Sequence, residues 1–155
     1  MTTTTDNAAR AYCATLVRAF PGTAVARFHG LLLAHAEPGV WAPLPKGVRR
    51  GKPKHCYGNA FRLMLDRPDL TYCEGIGSNF IQTMHAWCVD RDGRVIDPTW
   101  KPDPLLGTSP EYFGIRLRRA WVIRTTIERR QYGIHEFLLG TSPDEWRADD
   151  DRGRP

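Results

Sequence analysis

The stretch M-H-A-W-C-V-D-R-D-G-R-V-I-D-P-T-W, residues 84–100, reads as two extended arms around a tight turn. Residues 84–89 and 94–99 flank Arg91-Asp92-Gly93, a strong hairpin signal. With a three-residue loop in which Gly93 takes the left-handed conformation, Asp90 pairs with Arg94 and Trp87 pairs with Asp97. Side chains alternate along a strand, so His85, Trp87 and Asp97 then share one face, with Asp97 a diagonal neighbour of His85. A two-residue turn at Asp92-Gly93 would place His85 and Asp97 on opposite faces. The loop length therefore decides whether an imidazole and a carboxylate meet.

Upstream of the hairpin, Cys56, Ala60, Leu63 and Met64 recur at helical spacing, and Asp66-Arg67-Pro68 stops the pattern. Pro53 biases Lys52 away from helix, so the helix begins near His55 and Cys56 falls in its first turn. There, unpaired backbone N–H groups and the positive end of the helix dipole favour a thiolate. The same N–H groups can hold the oxyanion formed when a thiolate attacks a carbonyl. Such a nucleophile needs a base, and the base needs an orienting group. Cys56, His85 and Asp97 supply those three residue types in that order.

Around this centre the reading is coarser. Asp6 can cap a helix whose apolar positions Ala9, Tyr12, Cys13, Leu16, Val17 and Phe20 run until Pro21-Gly22, and residues 23–35 are expected to be extended. Residues 38–54, punctuated by prolines and glycines, read as a loop carrying Lys46, Arg49, Arg50, Lys52 and Lys54. Residues 70–76 read as a strand bearing Cys73 and Glu74. Ser109-Pro110-Glu111-Tyr112 resembles a short capped turn of helix, residues 120–127 a strand, and residues 134–139 either a strand or a helix. The charged residues 149–155 are expected to be a disordered tail, leaving residues 1–148 as a single domain.

The 155 residues are 41% apolar and 25% charged, enough for one globular domain and too few for two enzyme-sized ones. The formal charge of +5 suits a soluble enzyme as well as a weak nucleic-acid binder. No run approaches the roughly 18 apolar residues of a membrane span. The N-terminus shows no basic segment followed by an apolar one, so the expected location is the cytoplasm, with reduced thiols. Four cysteines without a C-x-x-C pair do not suggest a disulfide framework.

His85-Ala86-Trp87 followed by Asp97-Pro98-Thr99-Trp100, downstream of a cysteine that opens a helix with alanine four residues on, resembles the transglutaminase-like family of the papain-like cysteine protease superfamily. The resemblance covers residues 55–100. It implies an α+β fold in which the Cys-bearing helix packs on an antiparallel sheet. It further implies Cys56 as nucleophile, His85 as general base and acid, and Asp97 as the residue that orients the imidazole. Cys56-Tyr57-Gly58-Asn59-Ala60 departs from the usual sequence after the nucleophile of the animal transglutaminases, and an acidic calcium loop is not evident. Protein cross-linking is therefore not implied. The expected chemistry is that of a cysteine-dependent hydrolase or acyltransferase acting on an amide, peptide or isopeptide bond through a thioester, without a cofactor or metal. Its partner would be a peptide, protein or small amide substrate. Tyr57, Asn59, Glu74, Trp87 and Trp100 are the candidates for substrate binding, oxyanion stabilisation or walling the site.

Two other readings compete. Cys56, Cys73, His85 and Cys88 are zinc-ligand types, but His85 and Cys88 differ by three on a strand and face opposite sides, and no short chelating pair occurs. A non-catalytic module could use the basic loop 46–54 to engage nucleic acid or an acidic partner, yet no helix-turn-helix, RNA-binding or zinc-finger signature accompanies those charges. His29, His35 and His135 have no matching partners in the sequence.

Overall fold

The computed structural model describes residues 7–105 and 107–149, which form five strands, five α-helices and one 3-10 helix. In chain order these are α1 (Ala8–Ala19), α2 (Ala24–His35), β1 (Glu37–Trp41), α3 (Cys56–Asp66), β2 (Thr71–Ser78), β3 (Gln82–Val89), β4 (Arg94–Ile96), β5 (Glu111–Leu117), α4 (Arg119–Arg129), the 3-10 turn His135–Gly140 and α5 (Pro143–Trp146). The architecture is mixed α+β. The strands close into a small barrel in the order β1-β4-β3-β2-β5, with β5 returning to β1.

Alternation along the strands gives this barrel two apolar faces. Cys73, Trp87, Val89, Val95 and Tyr112 pack together inside, with Trp41 and Trp100 against them. Tyr72, Ile76, Ala86, Cys88, Phe113, Ile115 and Leu117 point outward into a larger core shared with Ala9 and Cys13 of α1, Leu32 of α2, Ala60, Leu63 and Met64 of α3, and Trp121 and Val122 of α4. The Cys-bearing helix thus packs on β-structure, as expected. The sheet is not purely antiparallel, because β1 runs parallel to β4 where the barrel closes.

Several local expectations are corrected. Residues 23–35 are helical because the Thr23 hydroxyl caps the Ala26 N–H, 3.2 Å away, and Ala26, His29 and Leu32 bury one helical face. Residues 120–127 are also helical: Trp121, Val122 and Thr125 share one buried stripe, and that packing outweighs the β-branched composition. Ser109-Pro110-Glu111-Tyr112 opens strand β5 rather than a helical turn, since Tyr112 fills the barrel while Phe113 fills the outer core. Residues 38–41 of the expected loop belong to β1, Glu37–Trp41. The Asp6 cap lies outside the described residues, and the observed cap is Asn7, whose Oδ1 accepts from Arg10 N–H at 3.0 Å. Of the expected tail, residues 150–155 lie outside the described residues, while Asp149 sits 3.5 Å from Arg118.

The β3–β4 hairpin has the register that a three-residue loop requires, with Cys88 opposite Ile96 and Val89 opposite Val95. Asp90 N–H donates to Arg94 at 3.0 Å, and Gly93 adopts φ +79°, the left-handed conformation the turn needs. The Asp90 carboxylate braces the turn further, accepting from the N–H groups of Asp92 and Arg94 at 3.0 and 2.9 Å.

Candidate active site

The site lies where the inner face of the barrel meets the first turn of α3. His85 on β3 and Asp97 just after β4 are buried, and Nε2 of His85 is 2.8 Å from Oδ2 of Asp97. The same oxygen accepts from the Tyr112 hydroxyl at 2.9 Å. The other carboxylate oxygen accepts from Thr99 and Trp100 N–H groups at 2.7 and 3.0 Å. All of these donors hold Asp97 in place, and none competes for the second nitrogen of His85.

None of these groups uses Nδ1, and the Cys56 side chain is near enough to the imidazole to influence its protonation. Burial is the largest influence on His85 and disfavours its protonated form. Hydrogen bonds to Asp97 and Cys56, together with their charges, oppose it, and the net direction is upward from the ordinary histidine value. Cys56 is partly exposed, whereas Cys13, Cys73 and Cys88 are buried, and all four thiols are free. Burial pushes the Cys13 thiol up to about 12 and raises Cys73 and Cys88 as well. A partly exposed sulfur near this imidazole is therefore confined, among the described residues, to Cys56. No side chain caps α3, so its first-turn N–H groups meet no side-chain acceptor and can receive a developing oxyanion.

Trp100 stacks flat on His85, with ring centroids 3.7 Å apart and planes 12° from parallel. Trp87 lies beyond the imidazole inside the barrel at 6.1 Å. The stack depends on Gly77 of β2: a Cβ there would lie 2.6 Å from the Trp100 ring and 3.1 Å from the His85 Cβ. Gly114 of β5 serves Trp87 in the same way, since its Cβ would fall 2.5 Å from the indole. Glycines on two strands thus make room for two indoles beside one imidazole.

The structure uses the remaining candidates differently. Both donors of the Asn59 amide are taken, by Lys52 carbonyl oxygen at 2.8 Å and Thr99 Oγ1 at 3.0 Å, so Asn59 ties α3 to the segment that follows Asp97. Glu74 faces the outer core, away from His85 on the paired strand. Its buried carboxylate accepts from Tyr72 Oη at 2.6 Å, from Ile134 N–H at 2.9 Å, and from His135 N–H and Nδ1 at 2.9 and 3.0 Å. His135 therefore has a partner that the sequence did not reveal. Tyr57, next to Cys56, stacks on His135 at 5.9 Å, and burial followed by the charges of Glu74 and Cys56 raises its hydroxyl well above the usual range.

Sequence reasoning missed Tyr112 and Arg50. The Arg50 guanidinium donates to the carbonyl oxygens of Asp97 and Trp100 at 3.4 and 2.5 Å, clamping the segment that carries both. Alternation in E-Y-F-G-I-R-L from residue 111 would have put Tyr112 inside a barrel, but reading the start as helix hid it. Arg50 gave no signal beyond its place in a basic loop. The four zinc-ligand types are not gathered: Cys88 Sγ turns outward to the Ala60 carbonyl at 3.4 Å. Among the described residues no three His, Cys, Asp or Glu side chains are arranged to hold a metal ion. Also among the described residues, no helix is long and apolar enough to cross a membrane. No family model, curated protein or solved structure matches the chain.

Proposed function

We propose that the chain is a cysteine-dependent hydrolase or acyltransferase of the transglutaminase-like, papain-like kind, acting on an amide, peptide or isopeptide bond. The observation that carries this reading is a partly exposed thiol at an uncapped helix start, near an imidazole whose Nε2 is 2.8 Å from a fully buried carboxylate. Proton transfer from thiol to imidazole leaves a thiolate beside an imidazolium that Asp97 stabilises. The thiolate attacks the carbonyl carbon, a C–S bond forms, and the oxyanion faces the first-turn N–H groups of α3. The C–N bond then breaks as His85 gives its proton to the departing nitrogen, leaving a thioester on Cys56. Water or an amine attacks that thioester, His85 takes the proton from the attacking atom, and the C–S bond breaks to restore the thiolate.

Trapping the covalent intermediate tests this directly. Incubation with the activated ester p-nitrophenyl acetate is expected to add one acetyl group, mapped by mass spectrometry to Cys56, and hydroxylamine is expected to remove it. The Cys56→Ala variant is expected to stay unmodified while folding normally. Equal acetylation of wild type and Cys56→Ala, or no adduct on a folded wild type, would overturn the proposal.

A further inference from the structure

A cavity of about 520 Å³ opens between the basic loop and one face of α3, lined by Lys46, Gly47, Val48, Arg49 and Gly51 on the loop, by Asn59, Arg62, Leu63 and Asp66 on the helix, and by Arg67 and Pro98 at its edges. The helix residues fall at i, i+3, i+4 and i+7, which is one stripe of α3, adjoining the face that enters the core. The loop wall is set by a turn in which Val48 N–H donates to the Pro45 carbonyl at 3.0 Å and Gly47 takes φ +87°. Glycine at the third turn position with positive φ, after proline at the first, leaves Lys46 at the exposed corner. The volume falls in the range of small-molecule sites, roughly 300–1,000 Å³.

The charges in this cavity are not neutralised. Elsewhere on the surface some arginines are paired, Arg94 with Asp90 and Asp92, Arg116 with Glu37, Arg118 with Asp149 and Arg124 with Glu145, while others such as Arg91 and Arg130 form no ion pair among the described residues. Arg67, at the cavity edge, is likewise held by Asp69 in a two-pronged bond of 2.8 and 2.7 Å. Among the described residues, Lys46, Arg49 and Arg62 form no ion pair, although Asp66 lines the same cavity. Three unpaired cations facing one carboxylate across a partly apolar cleft make a positive field that bulk water screens less than on a flat surface. A dianion satisfies that field, and phosphate oxygens accept readily from lysine and arginine.

We infer that this cavity binds a small phosphate-bearing anion, held by Lys46, Arg49 and Arg62, at a site separate from the Cys56 thiol. Nothing in this inference depends on catalysis. The Gly51 N–H donates to the Pro98 carbonyl at 2.8 Å, so the loop wall is anchored to the segment after Asp97 and the pocket is formed before any ligand arrives.

Calorimetric titration of the full chain with inorganic phosphate and with pyrophosphate, at low ionic strength, tests the site. Saturable one-to-one binding is expected, weakened about tenfold or more in Lys46→Gln/Arg49→Gln, since each lost charge-assisted bond is worth about tenfold. Asp66→Asn is expected to tighten binding several-fold. Arg124→Gln/Arg129→Gln removes the same charge from α4, and is expected to leave affinity unchanged. Equal affinity for the two anions would assign a monophosphate group, and tighter pyrophosphate a diphosphate. Absence of saturable binding, equal weakening by the α4 variant, or displacement of pyrophosphate by a single-stranded oligonucleotide at far lower concentration would overturn the inference. All five substituted side chains of the cavity and control faces are on the surface, and the unfolding midpoint of each variant checks that it folds.

Discussion

Asp97 is the residue on which the site converges. It is fully buried and accepts hydrogen bonds from His85, Tyr112, Thr99 and Trp100, so neither carboxylate oxygen lacks a donor. A buried charge is tolerated only when it is so satisfied, and removing a donor leaves it partly exposed to an apolar interior. Tyr112→Phe deletes one such donor without changing shape. It is expected to lower stability by about 1–3 kcal/mol, the range for a bond to a buried charged acceptor, in urea unfolding. A stability equal to wild type would mean that the hydroxyl does not hold the carboxylate. His85 differs in kind: Nε2 meets Asp97 and leaves Nδ1 outside that bond, which is the arrangement a proton shuttle needs.

At the scale of elements, the hairpin and helix α3 bring His85, Asp97 and Cys56 to one place, and Gly77 sets how closely β2 approaches the imidazole. Gly77→Ala is expected to push Trp100 off the imidazole, with a loss of about 1–3 kcal/mol from overpacking and a slower reaction at Cys56. An alanine variant with wild-type stability and thiol reactivity would remove Gly77 from the account. The hairpin was legible in the sequence because a turn signal and strict alternation fix register together, and α3 because its apolar stripe is bounded by two prolines, Pro53 and Pro68. Helix α2 was not legible, because its sequence A-V-A-R-F-H-G-L-L-L-A-H is apolar without clear periodicity and contains a glycine. Helix α4 was hidden by Val122, Ile123, Thr125, Thr126 and Ile127, whose branched side chains favour strands until tertiary packing decides. Barrel closure was not legible either: the β1–β4 pairing joins residues more than fifty apart, and β1 itself contains proline and glycine. Within the candidate site, the meeting of His85 and Asp97 was readable from residue type and register, whereas Asn59 and Glu74 required knowing which loop and which turn would come to meet them.

For the whole molecule, the barrel keeps His85 and Asp97 buried and its helices outside, and the pH dependence of stability follows from that burial. His85 has a folded pKa raised above its unfolded value near 6.5. Its contribution is then fully present below about pH 6.5 and is lost as pH rises through the folded value. The stability of wild type over His85→Gln, from urea unfolding, is expected to be largest near about pH 5.5 and to shrink toward about pH 8.5. His35, shifted downward by burial and by Arg147, acts in the opposite sense but is common to both proteins and cancels in the difference. A gap that widens with pH would contradict the direction assigned to His85. The central claim is the thiol–imidazole pair, and the rate of iodoacetamide alkylation at each cysteine, mapped by peptide across pH in wild type and His85→Ala, tests it most directly. Rapid reaction at Cys56 alone near neutral pH, lost in His85→Ala, with Cys13, Cys73 and Cys88 silent in the native chain, is the predicted result. Reaction at Cys56 no faster in wild type than in His85→Ala would contradict it.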